Sequence, residues 1–344
     1  MTTLSSRGPR TVPLVVAGPN LTIDRTMHLP ELTPGRVLRA TEVQATPGGK
    51  GVNVARAALV IGIPATLVSF LPGHTGQAAA ALLAEAGVRL RAVTCPGEIR
   101  STGVLIEDGG RVTVLNEPGP PVTAELWRTY EAEIAEALDG AAVLVCSGSL
   151  PPGTPPEAYA GLVMLARARG VVAVVDVAGA ALEAAVRTHA DLVVPNLGEA
   201  EALLEGAAAE DVDAAADARP RAAAAAVELV RRGAHAAMVT AAAAGAALAV
   251  APGGGGAAIG GRDEGNEDGP WWLAAPPANV RNPIGAGDAL AAGLAAALAR
   301  GEPILVAARE AVATGTAGVE SPLGGDFDRA RMRDLLAQVT LVRA

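Results

Sequence analysis

Residues 282–294, NPIGAGDALAAGL, set two glycines and a lone carboxylate at the front of an otherwise apolar segment with helical character. Gly285 and Gly287 each weaken a helix by about 1 kcal/mol relative to alanine, and Asp288 is the only ionisable side chain between Arg281 and Arg300. A plain tight turn is one reading, because a first-turn aspartate is favoured by the positive end of any helix dipole. An anion site is the other. Glycine lets a phosphate reach the backbone N–H groups, and the helix end adds positive potential. A carboxylate beside such a site is useful if it accepts the proton of a hydroxyl attacking phosphorus.

A second glycine-rich stretch, TPGGKGVNVARAALVIG at 46–62, leads three glycines into an amphipathic helix. Lys50 within it is the only lysine in the chain, the other 26 of the 27 basic residues being arginine. The stretch is not a Walker A loop, which needs glycine at 44 and serine or threonine at 51, where Gln44 and Gly51 stand. Nor is the GAGD turn a dinucleotide fingerprint, because Leu290 holds the third glycine position. Asn53, polar at the opening of an apolar helix, can cap the helix or hold a sugar hydroxyl.

The elements that must position these residues alternate along the chain. VPLVVAG, ATLVSFL, AAVLVCSGS, VVAVVDV and ADLVVPN read as buried strands, with GVNVARAALVIG and PPEAYAGLVMLARARG as helices between them. Repeated βαβ units with apolar strands imply a mostly parallel sheet covered by helices on both faces. Ligands of such sheets sit beyond the carboxyl ends of the strands, which selects Asp24, Ser147, Ser149, Asp176 and Asn196. Two β-like regions, about 21–46 and 99–116, stand outside the alternation and predict a small accessory sheet. A Gly-rich, acidic insertion at about 252–270 reads as a flexible surface loop, residues 1–11 as a flexible tail, and the Ala-rich stretch 207–226 as helix.

Composition narrows the partners. The net charge of −9 and a pI near 5.1 argue against nucleic acid or an anionic membrane as partner, either of which would want a basic face. No charge-free apolar run reaches the roughly 18 residues of a membrane span, and no signal core precedes the first strand. Cys95 and Cys146 are too few and too far apart for a zinc site or a disulfide framework, so a reducing cytoplasm is expected. Aromatic residues make up only 2%, so alanine, valine and leucine must build the core.

Taken together, GGKG-x-N, N-x-x-G-A-G-D, GPNLTIDRT, SGSLPPG and VPNLGEAE, in that set and in the expected order, resemble the PfkB family of carbohydrate kinases over nearly the whole chain. SGSLPPG is similar to the branch containing 1-phosphofructokinase, tagatose-6-phosphate kinase and the minor 6-phosphofructokinase. The resemblance implies a ribokinase-like three-layer α/β/α fold over residues 12–344, with a mostly parallel central sheet and a small β lid. It implies an ATP-dependent kinase using Mg²⁺, with Asp288 as base and Gly285, Ala286 and Gly287 as the anion hole. Asp24, Gly48, Gly49, Lys50 and Asn53 then fall to the sugar, with Arg100 and Ser147 near its phosphate and Arg36 or Arg39 assisting. Asn196, Thr240, Gly245, Gly285 and Gly287 fall to the nucleotide, and Glu199 of the N-x-x-E motif to magnesium through water, unless it is a plain solvated helix carboxylate. Free edges and one apolar face on the lid predict that it pairs with a second subunit.

The expected acceptor is fructose 1-phosphate, fructose 6-phosphate or tagatose 6-phosphate. An unphosphorylated sugar or a nucleoside is the alternative acceptor, and a non-catalytic sugar-binding protein the alternative class. Three departures from the family pattern bear on the nucleotide. Val194 stands where the branch has lysine, Ala241–Ala244 replace a glycine-containing turn, and Pro283, which has no N–H, precedes the anion hole.

Overall fold

The computed structural model describes residues 12–206, 217–252 and 269–344; the tail at 1–11, most of the insertion at 252–270 and residues 207–216 of the Ala-rich stretch lie outside the described residues. In chain order the elements are β1 (Leu14–Ala17), β2 (Thr22–Leu29), β3 (Glu42–Gly48), α1 (Lys50–Ile61), β4 (Ala65–Pro72), α2 (Gly73–Glu85), β5 (Arg89–Cys95), β6 (Arg100–Glu107) and β7 (Val112–Asn116). They continue with α3 (Ala124–Ala137), β8 (Val143–Ser147), α4 (Ala158–Arg167), β9 (Val172–Asp176), α5 (Gly179–Arg187), β10 (Leu192–Val193), α6 (Leu197–Glu205), α7 (Ala218–Arg231) and β11 (Ala236–Thr240). The last are β12 (Gly245–Val250), β13 (Trp271–Ala274), α8 (Ala286–Ala299), α9 (Ile304–Gly318), α10 (Arg329–Leu336) and β14 (Thr340–Arg343).

Ten strands form one sheet in the order β14-β13-β12-β11-β10-β9-β8-β1-β4-β5. From β5 to β11 every pairing is parallel, while β12, β13 and β14 add an antiparallel flank that the βαβ pattern did not foretell. Alternate side chains serve two cores. Leu14 and Val16 of β1 enter a core with α1, α8 and α9, whereas Val15 and Ala17 face one built with α3, α4, α5 and α7. This burial on both faces is why the strands read as unbroken apolar runs.

The scarcity of aromatic residues is compensated by close approach between helices. A Cβ on Gly293 of α8 would lie 2.4 Å from Thr314 Oγ1 of α9, so the two helices meet nearly backbone to backbone.

The chain leaves β1 for β4 on one side and β8 on the other, so the parallel strands change direction of succession at β1. That switch point opens a crevice at their carboxyl ends. The second sheet, in the order β3-β2-β6-β7, stands beside this crevice, with β2 and β6 parallel and the outer pairs antiparallel. It is the expected lid sheet, and it ends on the residues that open α1.

Candidate active site

A cavity of about 1020 Å³ lies at the carboxyl ends of β1, β8, β10 and β11, lined on one side by the lid sheet. The volume suits two small molecules side by side. Asp288 sits in it, in the first turn of α8 and only 4% exposed.

The start of α8 is shaped for an anion. Gly285 caps it at φ 85°, a left-handed conformation suited to glycine, and no side chain caps the first-turn N–H groups. A Cβ at Gly287 would meet nothing within 4 Å, so the cavity side of that backbone is open. Ala286 does not line the cavity, and its N–H turns back to the Pro283 carbonyl at 3.4 Å. Ala286 is thus set apart from Gly285, Gly287 and Asp288, all three of which line the cavity. Pro283 is accommodated because Asn282 holds the turn. Its Oδ1 accepts from the Ile284 N–H at 3.0 Å and its Nδ2 donates to the Pro322 carbonyl at 3.0 Å, neither of which needs an N–H at 283.

Charge at the centre is balanced by one cation. Lys50, the first residue of α1, donates from Nζ to Asp176 Oδ1 at 3.0 Å and lies 3.9 Å from Glu199 Oε1. Burial opposes its charge, but Asp176, Glu199 and Asp288 outweigh that and hold its pKa above the ordinary value. Burial, reinforced by the charge of Asp176, pushes the Asp288 carboxyl up to about 7, against the pull of Lys50 and of a 2.8 Å hydrogen bond donated by Asn53 Nδ2. A carboxyl so placed takes a proton readily near neutral pH.

At the end of the cavity beside the lid sheet, Asp24 of β2 lies directly over Gly48. A Cβ there would fall 1.9 Å from Asp24 Oδ2, so only glycine admits the carboxylate. Its Oδ1 is buried without a hydrogen-bond partner, and burial raises its pKa against the favourable influence of Arg100, Thr102 and Thr22. An orphaned buried acceptor of this kind calls for a ligand donor. Arg100 donates from Nε and Nη2 to the Asn20 carbonyl at 3.3 and 3.2 Å, and from Nη1 to the Glu117 carbonyl at 3.2 Å. Three of its donors are thereby fixed, two remain, and Arg100 is one of the residues lining the cavity. Gly49 and Asn53 complete this end of the lining.

Ser147 lines the cavity, but its Oγ donates to Asp176 Oδ2 at 3.1 Å. It thus offers a phosphate lone pairs only, and its geometry supports Asp176 instead. Ser149, two residues on, receives Asn20 Nδ2 at 2.9 Å, which puts its hydroxyl beside the Arg100 anchor. Arg36 and Arg39 are exposed between β2 and β3 and do not line the cavity.

At the other end, Asn196 and Glu199 form a reciprocal capping box at the start of α6. Asn196 Oδ1 accepts from the Glu199 N–H at 2.8 Å, and Glu199 Oε2 from the Asn196 N–H at 3.0 Å. Their spacing is thus explained by helix capping, yet both also line the cavity, and burial raises the Glu199 pKa. Glu199 is therefore no plain solvated carboxylate. Thr240 lines this end too, whereas Gly245 does not; a Cβ on it would lie 2.0 Å from the Leu273 carbonyl, so its role is to let β13 pack against β12. Val194 is buried in the core and supplies nothing to the cavity. In the alanine turn, Ala242 adopts φ 45°, the left-handed region where glycine is favoured, and lines the cavity.

Several lining residues escaped the sequence. Asn20, Thr102 and Asn116 line the end beside the lid sheet, with Thr102 Oγ1 donating to Asn116 Oδ1 at 3.1 Å. Strand alternation within the lid is the signal that finds Thr102, two strand positions from Arg100.

The model of the pfkB family carbohydrate kinases matches residues 15–329. The ATP-dependent 6-phosphofructokinase isozyme 2 of Escherichia coli K12 is 34% identical over 184 residues, 53% of this chain and 59% of that protein, so the aligned stretch spans under two thirds of the relative. The structure of Escherichia coli phosphofructokinase-2 in complex with substrates and products superposes with a TM-score of 0.80 at 27% identity, covering 95% of this chain and 99% of that one. Ribokinase from Thermotoga maritima shares the fold, with a TM-score of 0.69 at 18% identity over 95% of this chain and 99% of that one.

Proposed function

Because the chain belongs to the pfkB family of carbohydrate kinases, we propose that it transfers the γ-phosphoryl group of ATP to a hydroxyl of a sugar phosphate, with fructose 6-phosphate, fructose 1-phosphate or tagatose 6-phosphate as acceptor. The observation that carries this is a buried carboxylate, Asp288, beside an uncapped helix N-terminus, between a carboxylate-lined pocket and an open donor end.

In the step itself, a sugar oxygen bonds to phosphorus as the bond from phosphorus to the leaving ADP oxygen breaks, and the hydroxyl proton passes to Asp288. The Gly287 and Asp288 N–H groups stabilise the charge spreading over the transferring group. Lys50 adds a cation at the same centre. Asp24 accepts from neighbouring sugar hydroxyls, and the free donors of Arg100 meet the acceptor's phosphate in the forked geometry arginine favours. Asn196, Thr240 and the alanine turn face the nucleotide.

Among the described residues no cluster of three His, Cys, Asp or Glu side chains is able to cage a metal. That suits magnesium, which keeps most of its waters and takes few protein ligands. Glu199, facing the cavity, would hold it through water, and Mg²⁺ when bound neutralises charge on the donor phosphates.

The outer face of the lid supports a dimer through that sheet. Register places Val43, Met27 and Leu105 in one row across β3, β2 and β6, with Leu115 of β7 alongside, on the face opposite Asp24. Val43 and Leu115 are 49% and 59% exposed, and a stripe of this kind is covered by a second copy. Escherichia coli phosphofructokinase-2 has been seen in a tetrameric inhibited form. No helix among the described residues is long and apolar enough to cross a membrane, and Cys95 and Cys146 are unpaired, which supports a cytoplasmic setting.

The deciding experiment is a screen of the purified protein with MgATP against the three sugar phosphates and their unphosphorylated counterparts. Turnover confined to sugar phosphates is expected. Turnover of free sugars or nucleosides alone would replace this acceptor class, and nucleotide binding without turnover on any acceptor would point to a binding protein.

A further inference from the structure

Arg56 is a buried cation that does not line the cavity, yet it touches three parts of the site. It lies one helical turn beyond Asn53 on α1. Its Nη1 donates to Asn53 Oδ1 at 3.2 Å and to the Gly324 carbonyl at 2.5 Å, and its Nη2 donates to the Pro47 carbonyl at 3.0 Å. Each acceptor backs a working element. Pro47 precedes Gly48, on which the Asp24 carboxylate rests. Gly324 packs against the cap of α8, where a Cβ on Gly285 would fall 2.8 Å from the Gly324 Cα. Asn53 donates to Asp288.

The amide of Asn53 is the informative link. An arginine has donors only and an ionised carboxylate acceptors only, so one orientation of the amide satisfies both neighbours. With Oδ1 held by Arg56, Nδ2 must face Asp288. Without Arg56 the amide is free to turn and set its oxygen against the carboxylate. The hydrogen bond from Nδ2 occupies one carboxylate oxygen and orients the other.

We propose that Arg56 is a positioning residue for the phosphoryl-transfer base, fixing the Asn53 amide toward Asp288, with its bonds to the Gly324 and Pro47 carbonyls holding the guanidinium in place for that contact. The proposal rests on Asp288 acting as base. Charged groups facing Asp288 are Asp176 from β9, Lys50 from α1 and Asp24 from β2; those facing Arg56 are Asp24 and Asp326.

The test is steady-state kinetics with MgATP and fructose 6-phosphate, or fructose 1-phosphate where that is the faster acceptor, on Arg56→Met, Arg56→Lys, Asn53→Ala, the Asn53→Ala/Arg56→Met double variant and Asp288→Asn. Arg56→Met is expected to lower kcat at least tenfold with the KM for ATP within about twofold, and Arg56→Lys to recover part of it. The acid limb of the kcat profile should move upward in pH in Arg56→Met, because a hydrogen bond that favours ionised Asp288 is lost. The double variant should match Asn53→Ala within about twofold, since the two residues act through one contact.

A double variant as slow as the product of the single effects would overturn the proposal, as would an Arg56→Met protein with a lower Tm but unchanged kcat and pH limb. If Arg56→Met does not fold, Arg56→Lys combined with Asn53→Ala poses the same additivity question. Asp288→Asn separates the two layers. An active Asp288→Asn enzyme removes the base assignment itself, whereas an inactive one with additive Arg56 and Asn53 effects removes only the role of Arg56.

Discussion

At the scale of single residues, the site turns on one carboxyl. Replacing Asp288 by asparagine keeps its shape and its contact with Asn53 but removes proton acceptance, so kcat should fall roughly 10²-fold or more while nucleotide and sugar binding persist. Calorimetric titration beside turnover measurements separates the two. The same carboxyl sets the pH dependence. It is raised by burial to about 7 and works only when ionised, so turnover should be full above that pH and decline as pH falls through it, approaching tenfold per unit below. A profile flat from pH 8 to 5.5 would contradict this. Arg100 makes a different kind of contribution, to binding rather than to the chemical step. Arg100→Ala should raise the KM for a sugar phosphate by about ten- to hundredfold, the loss expected for a charge-assisted hydrogen bond, with little change for ATP. Arg100→Lys should recover part of this, since an ammonium keeps the charge without the fork. Equal effects on phosphorylated and free sugar would show that Arg100 does not read the phosphate.

At the scale of elements, the parallel strands and the helices between them were legible because burial on both faces leaves unbroken apolar runs, as in VAVVD of β9. The antiparallel flank was less so. β12 to β14 pair antiparallel and follow no βαβ rhythm. In the site, glycine turns and the carboxylates after strands stood out from the sequence, because their residue types are costly without a use. What stayed hidden were long-range partnerships. Nothing local to Ser147 says that its proton goes to Asp176, nor does NVAR reveal that Arg56 reaches Gly324, 268 residues away. The alanine turn shows how an element records a substitution. Ala242 occupies a left-handed conformation that disfavours a Cβ by roughly 1 kcal/mol. Ala242→Gly is therefore expected to raise Tm by about 2 °C, read by thermal melting. A lower Tm would mean that the methyl group's packing outweighs the backbone strain.

At the scale of the whole molecule, the lid joins catalysis to assembly. Its inner face carries Asp24 and Thr102 into the cavity, while the row formed by Val43, Met27 and Leu105, with Leu115, lies on the outer face. A four-stranded sheet with one apolar face and two open edges is weakly held on its own, so a second copy should cover it. Light scattering at micromolar concentration should give a dimer. Leu115→Asp, which sets a charge on the edge strand of that face, should shift it toward monomer while leaving the ten-stranded core folded, because Leu115 is largely exposed and does not line the cavity. Loosening the lid loosens Asp24 and Arg100 but not the α8 terminus, so the KM for the sugar phosphate should rise well before that for ATP. A wild-type monomer at micromolar concentration would remove the dimer while leaving the lid's role over the sugar intact. A Leu115→Asp monomer with unchanged KM would show instead that the lid holds its shape without a partner.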